Sequence, residues 1–520
     1  MILKSFEIHW FYRLIPRSYE IKYEAASFKI LHVFQMFVVS SKFLKHSFKL
    51  GIKILKSHCS TNKSTLLVSG RFRNSITPPV EPYLDKEKLS ISELLELESS
   101  LILRDPEKPI SISAVELSKA LERLDKIESE ETKLNLRKDE IKQLYSQTKD
   151  KHTHTNLAEE GKTIKKTLKE LRMERWSLEE TELVEYLRMP NYLQQQFTHD
   201  EDIIVEEIGQ MPLIDSDTHF KSHKHLYPDD IEFSDSSPTS YYLLNDVAML
   251  EMSLTWAAQK FLLAASLDMY SGPDFTRTYI VEGCNPETSV YSDSFGKDEV
   301  FSLAETSDFG DISSMAATHL VGSASLESLI GNNIKNIIIN PNTSLPKTYF
   351  CCGRKYKPLD YNQHEEPSLY NTQQSTAIEF ICLSKSSSSM EDQINYIKSI
   401  TSDFYKMLDL PCQFVQRHPG SIGHSAKSRK ISILIYSQFL KDYIEVGHLG
   451  VYDDFLSKRL LLLCEDIDGL KELHIVSGTF MDVTKMIACV IEHCQMNISS
   501  GGQATIKDNI EQFISKLSSI

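Results

Sequence analysis

Two runs of heptad-spaced apolar residues, parted by a short polar break, are the tightest constraint on how this chain can fold. Ala120, Ile127, Leu134 and Ile141 recur every seven residues, and Leu157, Ile164, Leu171 and Leu178 repeat the pattern after the polar stretch TKDKHTHTN at 148–156. A seven-residue apolar repeat puts one stripe along a helix, and a stripe must be covered. Two such helices joined by a turn cover each other, so the spacing predicts an antiparallel coiled-coil hairpin. Arms of about 35 residues reach on the order of 50 Å at 1.5 Å per residue.

The hairpin is locally basic in an acidic protein. The chain carries a net charge of -15 over 520 residues, which argues against a general nucleic-acid coat. Between Arg137 and Arg172, however, ten Lys/Arg stand against six acids. Arg137, Lys138, Lys165, Lys166 and Lys169 are the candidate RNA contacts; a solvated coiled coil used for protein contact is the alternative.

The first eighty residues differ from the rest. From Ala25 to Val80 there is no Asp or Glu, while basic residues recur among apolar ones, as in LKHSFKLGIKILKSH. This is the composition of a mitochondrial transit peptide, and a basic RNA- or membrane-surface tail fits the same pattern. The apolar run Ile30 to Val39 is too short to span a bilayer. Acidic residues resume at the Pro-rich joint TPPVEPYLD (77–85), near which a mature start is expected. The chain therefore divides into a targeting extension over 1–80, a helical arm over 81–190 and a larger domain over 191–520, with the mitochondrial matrix as the expected location. Nine cysteines without a CxxC pair or zinc-finger spacing argue for reduced thiols. No metal and no cofactor are expected.

The larger domain mixes β runs and helices. Ala377–Leu383, Ile431–Tyr436 and Glu472–Ser477 read as strands of an antiparallel sheet, with a buried helix from Met390 to Leu408. In Leu473 to Gln495, LHIVSGTFMDVTKMIACVIEHCQ, a short strand, a turn at Ser477-Gly478 and a helix are expected, with Met486, Ile487, Val490 and Ile491 on the buried side. Gly is only 19 of 520, roughly half the usual ~7%, as in a fold without phosphate-cradling loops.

That last stretch resembles the third signature motif of class II aminoacyl-tRNA synthetases in its seryl version, with Leu473, His474, Gly478, Val483, Glu492 and Gln495 in register. The positions expected at ATP differ: the motif's second glycine is Phe480, its third is Thr484, and its arginine is Lys485. A phenylalanine beside a nucleotide fills space that a glycine leaves open, and lysine cannot stack on adenine as arginine does. Further windows come in the family's order. LRMPNYL (187–193) resembles the step from arm to catalytic domain. YYLLNDVAMLEMSLTWAAQKFL (241–262) resembles motif 1, the dimer helix, which implies that Val247, Leu250 and Leu254 lie in a dimer interface. HLVGSASLESLIG (319–331) resembles the serine-reading Thr-Ala-Glu loop with Ser323, Ala324 and Ser325 in its place; Glu327, two residues on, restores a carboxylate if the alignment slips. Motif 2 has Lys357 for its phosphate-binding arginine, Leu359 for its glutamate and Asn371 for its loop arginine, while Leu369, Tyr370, Gln374 and Glu379 persist. EVGHLGVYDDFLSKRL (445–460) keeps Glu445, Asp454, Phe455, Arg459 and Leu460 but replaces polar serine-site positions, Leu449 among them.

The resemblance spans roughly residues 85 to 495. It implies an α+β protein, with an antiparallel coiled-coil arm before a class II antiparallel sheet domain flanked by helices. It also implies a non-charging seryl-tRNA synthetase paralogue of the kind found in insect mitochondria, paired with the active mitochondrial seryl-tRNA synthetase or with itself. An RNA-binding module using the arm and a divergent serine–tRNA ligase are the alternatives.

Overall fold

Strands whose both faces are apolar must lie in the middle of a covered sheet, and Gln374–Ser384 (β4 below) is such a strand, buried at every residue from Thr376 to Ser384. The computed structural model describes residues 64–67, 80, 91–107, 112–147, 151–210, 227, 229–234, 237–286, 300–303, 317–359, 366–467, 469–499 and 505–519, all within one unit spanning 62–520. Of the targeting extension expected over 1–80, residues 1–63 and 68–79 lie outside the described residues.

The central sheet has eight strands: β1 (Ile203–Ile208), β2 (Asp268–Tyr270), β3 (Lys347–Tyr356), β4 (Gln374–Ser384), β5 (Cys412–Gln416), β6 (Arg429–Ser437), β7 (Asp442–Asp453) and β8 (His474–Asp482). Their order is β1-β5-β6-β7-β8-β4-β3-β2. Every pairing is antiparallel except that of β2 with β3. β8 runs unbroken to Asp482, so the turn expected at Ser477-Gly478 is absent. Gly478 is needed for a different reason: a Cβ there would lie 2.0 Å from the His448 carbonyl oxygen of the neighbouring strand.

The pleat sends alternate side chains to opposite faces. On the back face Ile378, Phe380, Cys382 and Phe480 join one hydrophobic cluster; on the front Ile381, Leu383 and Ile475 join another. The back is covered by α4 (Asn245–Ala264), α5 (Ser387–Leu408), α6 (Val483–Ser499) and α7 (Ile506–Ser519). Ser386 caps α5 by accepting from the Ser389 amide at 3.3 Å, and Met390, Ile394, Ile397, Phe404 and Leu408 recur at helical spacing on its buried side. Phe404 packs against Phe261 of α4 and Phe480 of β8 at ring centroids of 5.2 and 5.1 Å. In α6 not only Met486, Ile487, Val490 and Ile491 but also Ala488 and Cys489 are buried, as expected of a helix that is apolar all round.

The arm comes after α1 (Ile91–Arg104) and consists of α2 (Ala114–Gln147) and α3 (Lys151–Glu180). Ile141, Leu157, Ile164 and Leu168 form its seam, with Leu134 partly covered. Arg123 pairs with Glu174 and Arg137 with Glu160, so an advance along one helix is a retreat along the other, and the hairpin is antiparallel. α3 begins at Lys151, inside the expected polar break. Near the base, Leu94, Leu97, Leu117 and Leu121 hold α1 to α2.

Two expectations are corrected here. Val247, Leu250 and Leu254 do not face a partner: all three are fully buried against the chain's own sheet. The outward side of α4 carries Met249, Met252 and Trp256, which are 52%, 66% and 62% exposed. The periodicity identified an amphipathic helix but not which stripe meets which surface. The packed body also does not begin near residue 80, because Ser64 to Leu67 are already enclosed, with Leu66 fully buried in the front cluster. Leu254→Asp is therefore expected to unfold the sheet domain, since a buried unpaired charge costs on the order of 4 kcal/mol or more. Trp256→Asp should leave the fold intact. Near-UV circular dichroism of the two variants checks the assignment, and a folded Leu254→Asp protein would refute it.

Candidate functional site

Because the front face is apolar only at one end, the other end of strands β3, β4, β6, β7 and β8 presents a polar floor. Glu379 is its centre. Its carboxylate accepts from Thr479 Oγ1 at 2.8 Å and lies 3.3 Å from Lys355 Nζ, which also sits 3.4 Å from Thr479 Oγ1. Burial opposes a charged Lys355, but the carboxylates of Glu379, Asp482 and Glu327 together raise the lysine above its ordinary value. Glu327, at the start of the short helix Leu326–Gly331, is electrostatically coupled to the same two residues, and burial raises its carboxyl.

A second group adjoins the first. Lys430 Nζ is 2.7 Å from a Glu445 oxygen that also accepts from Ser432 Oγ at 2.6 Å. Lys427 Nζ lies 2.9 Å from His448 Nε2. His448 is pushed far below the ordinary histidine range by burial and by Lys427, and its Nδ1 faces Glu445 at 3.5 Å. Lys485, the first-turn lysine of α6, donates from Nζ to the Glu445 carbonyl at 3.1 Å and from its amide to Asp482 at 3.1 Å.

The positions expected from the sequence distribute unevenly. Lys485 reaches the floor. Phe480 does not: its ring is on the back face, in the core against Phe404, so it fills no nucleotide space. Leu449 is likewise in the back core, and it is His448 and Gly450 that face Lys427. Thr484 is buried, accepting from the Thr376 amide at 2.9 Å and sitting 2.9 Å from the Tyr241 hydroxyl, where it ties α6 to β4. Ser325 is a helix cap, accepting from Ser328 N at 3.2 Å while donating to the Gly322 carbonyl. Ser323 donates its amide to Asp274. Lys357 and Leu359 lie beyond the end of β3, and Lys357 and Asn371 are exposed. The lysine that occupies the floor from β3 is Lys355, two residues earlier, paired with the Glu379 that the sequence had kept. Lys355, Lys427 and Lys430 were missed because strand register, not spacing to the next landmark, decides which residue points at the front face. Among the described residues, no group of three or more His, Cys, Asp or Glu is placed to hold a metal.

On the arm, Arg137 bridges α2 and α3 by pairing with Glu160 at 2.8 Å, and it also meets Glu140. Lys138 is half-buried. Lys165, Lys166 and Lys169 are exposed on α3, and Lys166 stands 3.9 Å from Glu170.

Lys427 is 6% exposed, and its ammonium is lowered from 10.5 to about 7 by burial and then by Lys430. Between those values the unfolded chain holds a proton that the folded chain does not, so stability falls as pH drops from about 10.5 to about 7 and then levels off. Lys427→Met should raise the thermal midpoint at pH 7 and flatten its gain between roughly pH 7 and 9. Calorimetric scans across that range check this, and an unchanged slope in the variant would assign the dependence elsewhere.

No protein-family model matches the chain. It is 26% identical over 471 residues to the serine–tRNA synthetase-like protein Slimp of Drosophila melanogaster, covering 88% of this chain and 96% of that one. To the serine–tRNA ligase of Borrelia recurrentis it is 24% identical over 357 residues, 65% of this chain and 78% of the other. Its fold matches the seryl-tRNA synthetase of Pyrococcus horikoshii complexed with ATP at a TM-score of 0.65 and 16% identity, over 79% of this chain and 94% of that structure. It matches the cytoplasmic serine–tRNA ligase of Naegleria fowleri complexed with AMP at 0.61 and 14%, over 84% and 98%. The sheet order, the arm before it and the run of similarity along most of the chain agree: in sequence and in fold this chain is similar to the seryl-tRNA synthetases.

Proposed function

We propose that this chain is a non-catalytic seryl-tRNA synthetase paralogue of the mitochondrial matrix that acts as a partner subunit of the active mitochondrial enzyme. The observation that carries the first part is the self-pairing of the polar floor. Lys355, Lys427, Lys430 and Lys485 each end on a group of the chain itself: Glu379, His448, Glu445 and the Glu445 carbonyl. A site that holds a nucleoside triphosphate needs cations whose charge is directed at phosphate, and bidentate arginines orient it best. Lysines engaged by the chain's own groups supply neither property, so the residues present do not fit a bound ATP. The similarity to a protein named synthetase-like rather than ligase points the same way.

The partner-subunit reading is supported by α4. Met249, Met252 and Trp256 form an exposed apolar stripe, and Leu517 and Ser518 of α7 complete a shallow groove beside it. Apolar surface of this kind is usually covered. The mitochondrial location rests on the basic, acid-free composition of residues 25–80, and a division into an arm and a sheet domain is proposed with it. Among the described residues no helix is long and apolar enough to cross a membrane. Pairing of two copies is the alternative assembly. RNA binding is a second function compatible with the first, supported by Lys162, Lys165, Lys166 and Lys169 standing exposed on one stretch of α3; replacing them with Glu should abolish a salt-sensitive RNA shift if that reading holds.

Purified protein is expected to give no serine-dependent ATP–pyrophosphate exchange, because losing even one preorganised charge contact typically costs roughly 10²–10³-fold. Exchange near the rate of a working synthetase would sink the non-catalytic reading and favour a divergent ligase. For assembly, the two proteins carrying different tags are co-expressed and the complex is weighed by native mass spectrometry. A mixed pair is expected, lost on Trp256→Asp; pairs of this chain alone, with the active enzyme unbound, would defeat the heterodimer.

A further inference from the structure

The segment before the Pro-rich joint makes contacts that neither a transit peptide nor a linker needs. Ser64 Oγ donates to one Glu282 oxygen. The Thr65 amide donates to the other at 2.7 Å, and Thr65 Oγ1 donates to that same oxygen. Ser64 Oγ in turn accepts from the amides of Leu66 and Leu67 at 3.2 and 3.4 Å, which folds the four residues into a tight turn. That turn delivers Leu66 into the front cluster with Leu187, Ile280, Cys284, Ile330 and Leu460. Val80, past the Pro-rich joint's start, is 1% exposed.

The receiving side is equally built. Glu282 is 8% exposed and lies in the helix Thr278–Cys284. The carbonyls of Glu282 and Gly283 accept from the buried Arg459 guanidinium at 2.8 and 3.0 Å, and a third Arg459 bond goes to the Leu187 carbonyl at 2.6 Å. A carboxylate this enclosed needs donors, and both of its oxygens take them from Ser64 and Thr65. Without the segment, Glu282 would face an apolar hollow where Leu66 had been.

We propose that Glu282 and the hollow around Leu66 form a peptide-binding seat occupied in cis by Ser64–Leu67, and that this seat sets the N-terminal limit of the working protein. It takes a hydroxyl-bearing pair followed by leucine: two side-chain donors and one amide for the carboxylate, then one aliphatic plug. Any leader removed on import is then cut before Ser64, upstream of the Pro-rich joint. The processing limit rests on the mitochondrial reading; the seat does not.

Full-length protein tests the seat. Thr65→Val and Glu282→Gln should each lower the thermal midpoint by a few degrees, and the double variant should fall no further than the worse single, because contacting residues are not additive. Thr65→Ser, which keeps the hydroxyl, should stay near the parent. Additive losses, or a Thr65→Val protein that melts like the parent, would overturn the seat. If the glutamine variant fails to fold, the comparison of Thr65→Val with Thr65→Ser still decides. Separately, N-terminal sequencing of the chain recovered from mitochondria should find its first residue at or before Ser64. A start after Ser64 would overturn the processing limit, whereas absence of the chain from mitochondria would instead remove the location it rests on.

Discussion

The pairing register between β4 and β8 governs the rest of this structure. Glu379 lies opposite Thr479 and Phe380 opposite Gly478, so a single step along the strand separates a charged floor from an aromatic core. A one-residue slip would drive Glu379 into the Phe404 cluster and lift Phe380 to the front, and burying the carboxylate there would cost several kcal/mol. The bulge between Ile378 and Glu379 keeps both Phe480 and Met481 in the back core. The faces of β3 and β7 depend on this one register, and with them the positions of Lys355 and His448.

Buried charge is handled by enclosure rather than by exposure. Arg459 reaches three main-chain carbonyls, two from the helix Thr278–Cys284 and one from Leu187 at the base of the arm, which fastens that base to the sheet domain. Glu492 does similar work on α6, accepting from the Ser437 and Tyr370 hydroxyls and the Gln438 amide. These two residues were recognisable in the sequence as retained landmarks, and their retention has a structural cause independent of chemistry. Removing either partner from such an arrangement leaves an unsatisfied buried group, which is costly whether or not the site above it turns over.

The polar floor shows the complementary case. Two of its lysines, Lys355 and Lys430, pair with acids of the chain, and Glu327 couples to Lys355 and Glu379 although the position expected to carry a carboxylate, Ser325, has become a helix cap. On the surface, the apolar stripe of α4 and the lysines of α3 are the features that the chain's own core does not use.

By itself the sequence determined the features set by period and by residue type. Heptad spacing defined the hairpin, because a seven-residue stripe has one way to be covered; the β runs and the long buried helix declared themselves through alternation and length. The order of the family's landmarks pointed to the class of fold. Only the tertiary structure decided direction. Val247, Leu250 and Leu254 turned inward and Met249, Met252 and Trp256 outward, since periodicity defines a stripe without saying which surface will meet it. Phe480 and Leu449 went to the core and Lys355 to the floor, since a shift of one residue in an alignment exchanges the faces of a strand. Ser64–Leu67 joined the body although it lies within the acid-free stretch expected to be a leader, because a buried carboxylate more than two hundred residues away supplied the partner that no local pattern could reveal.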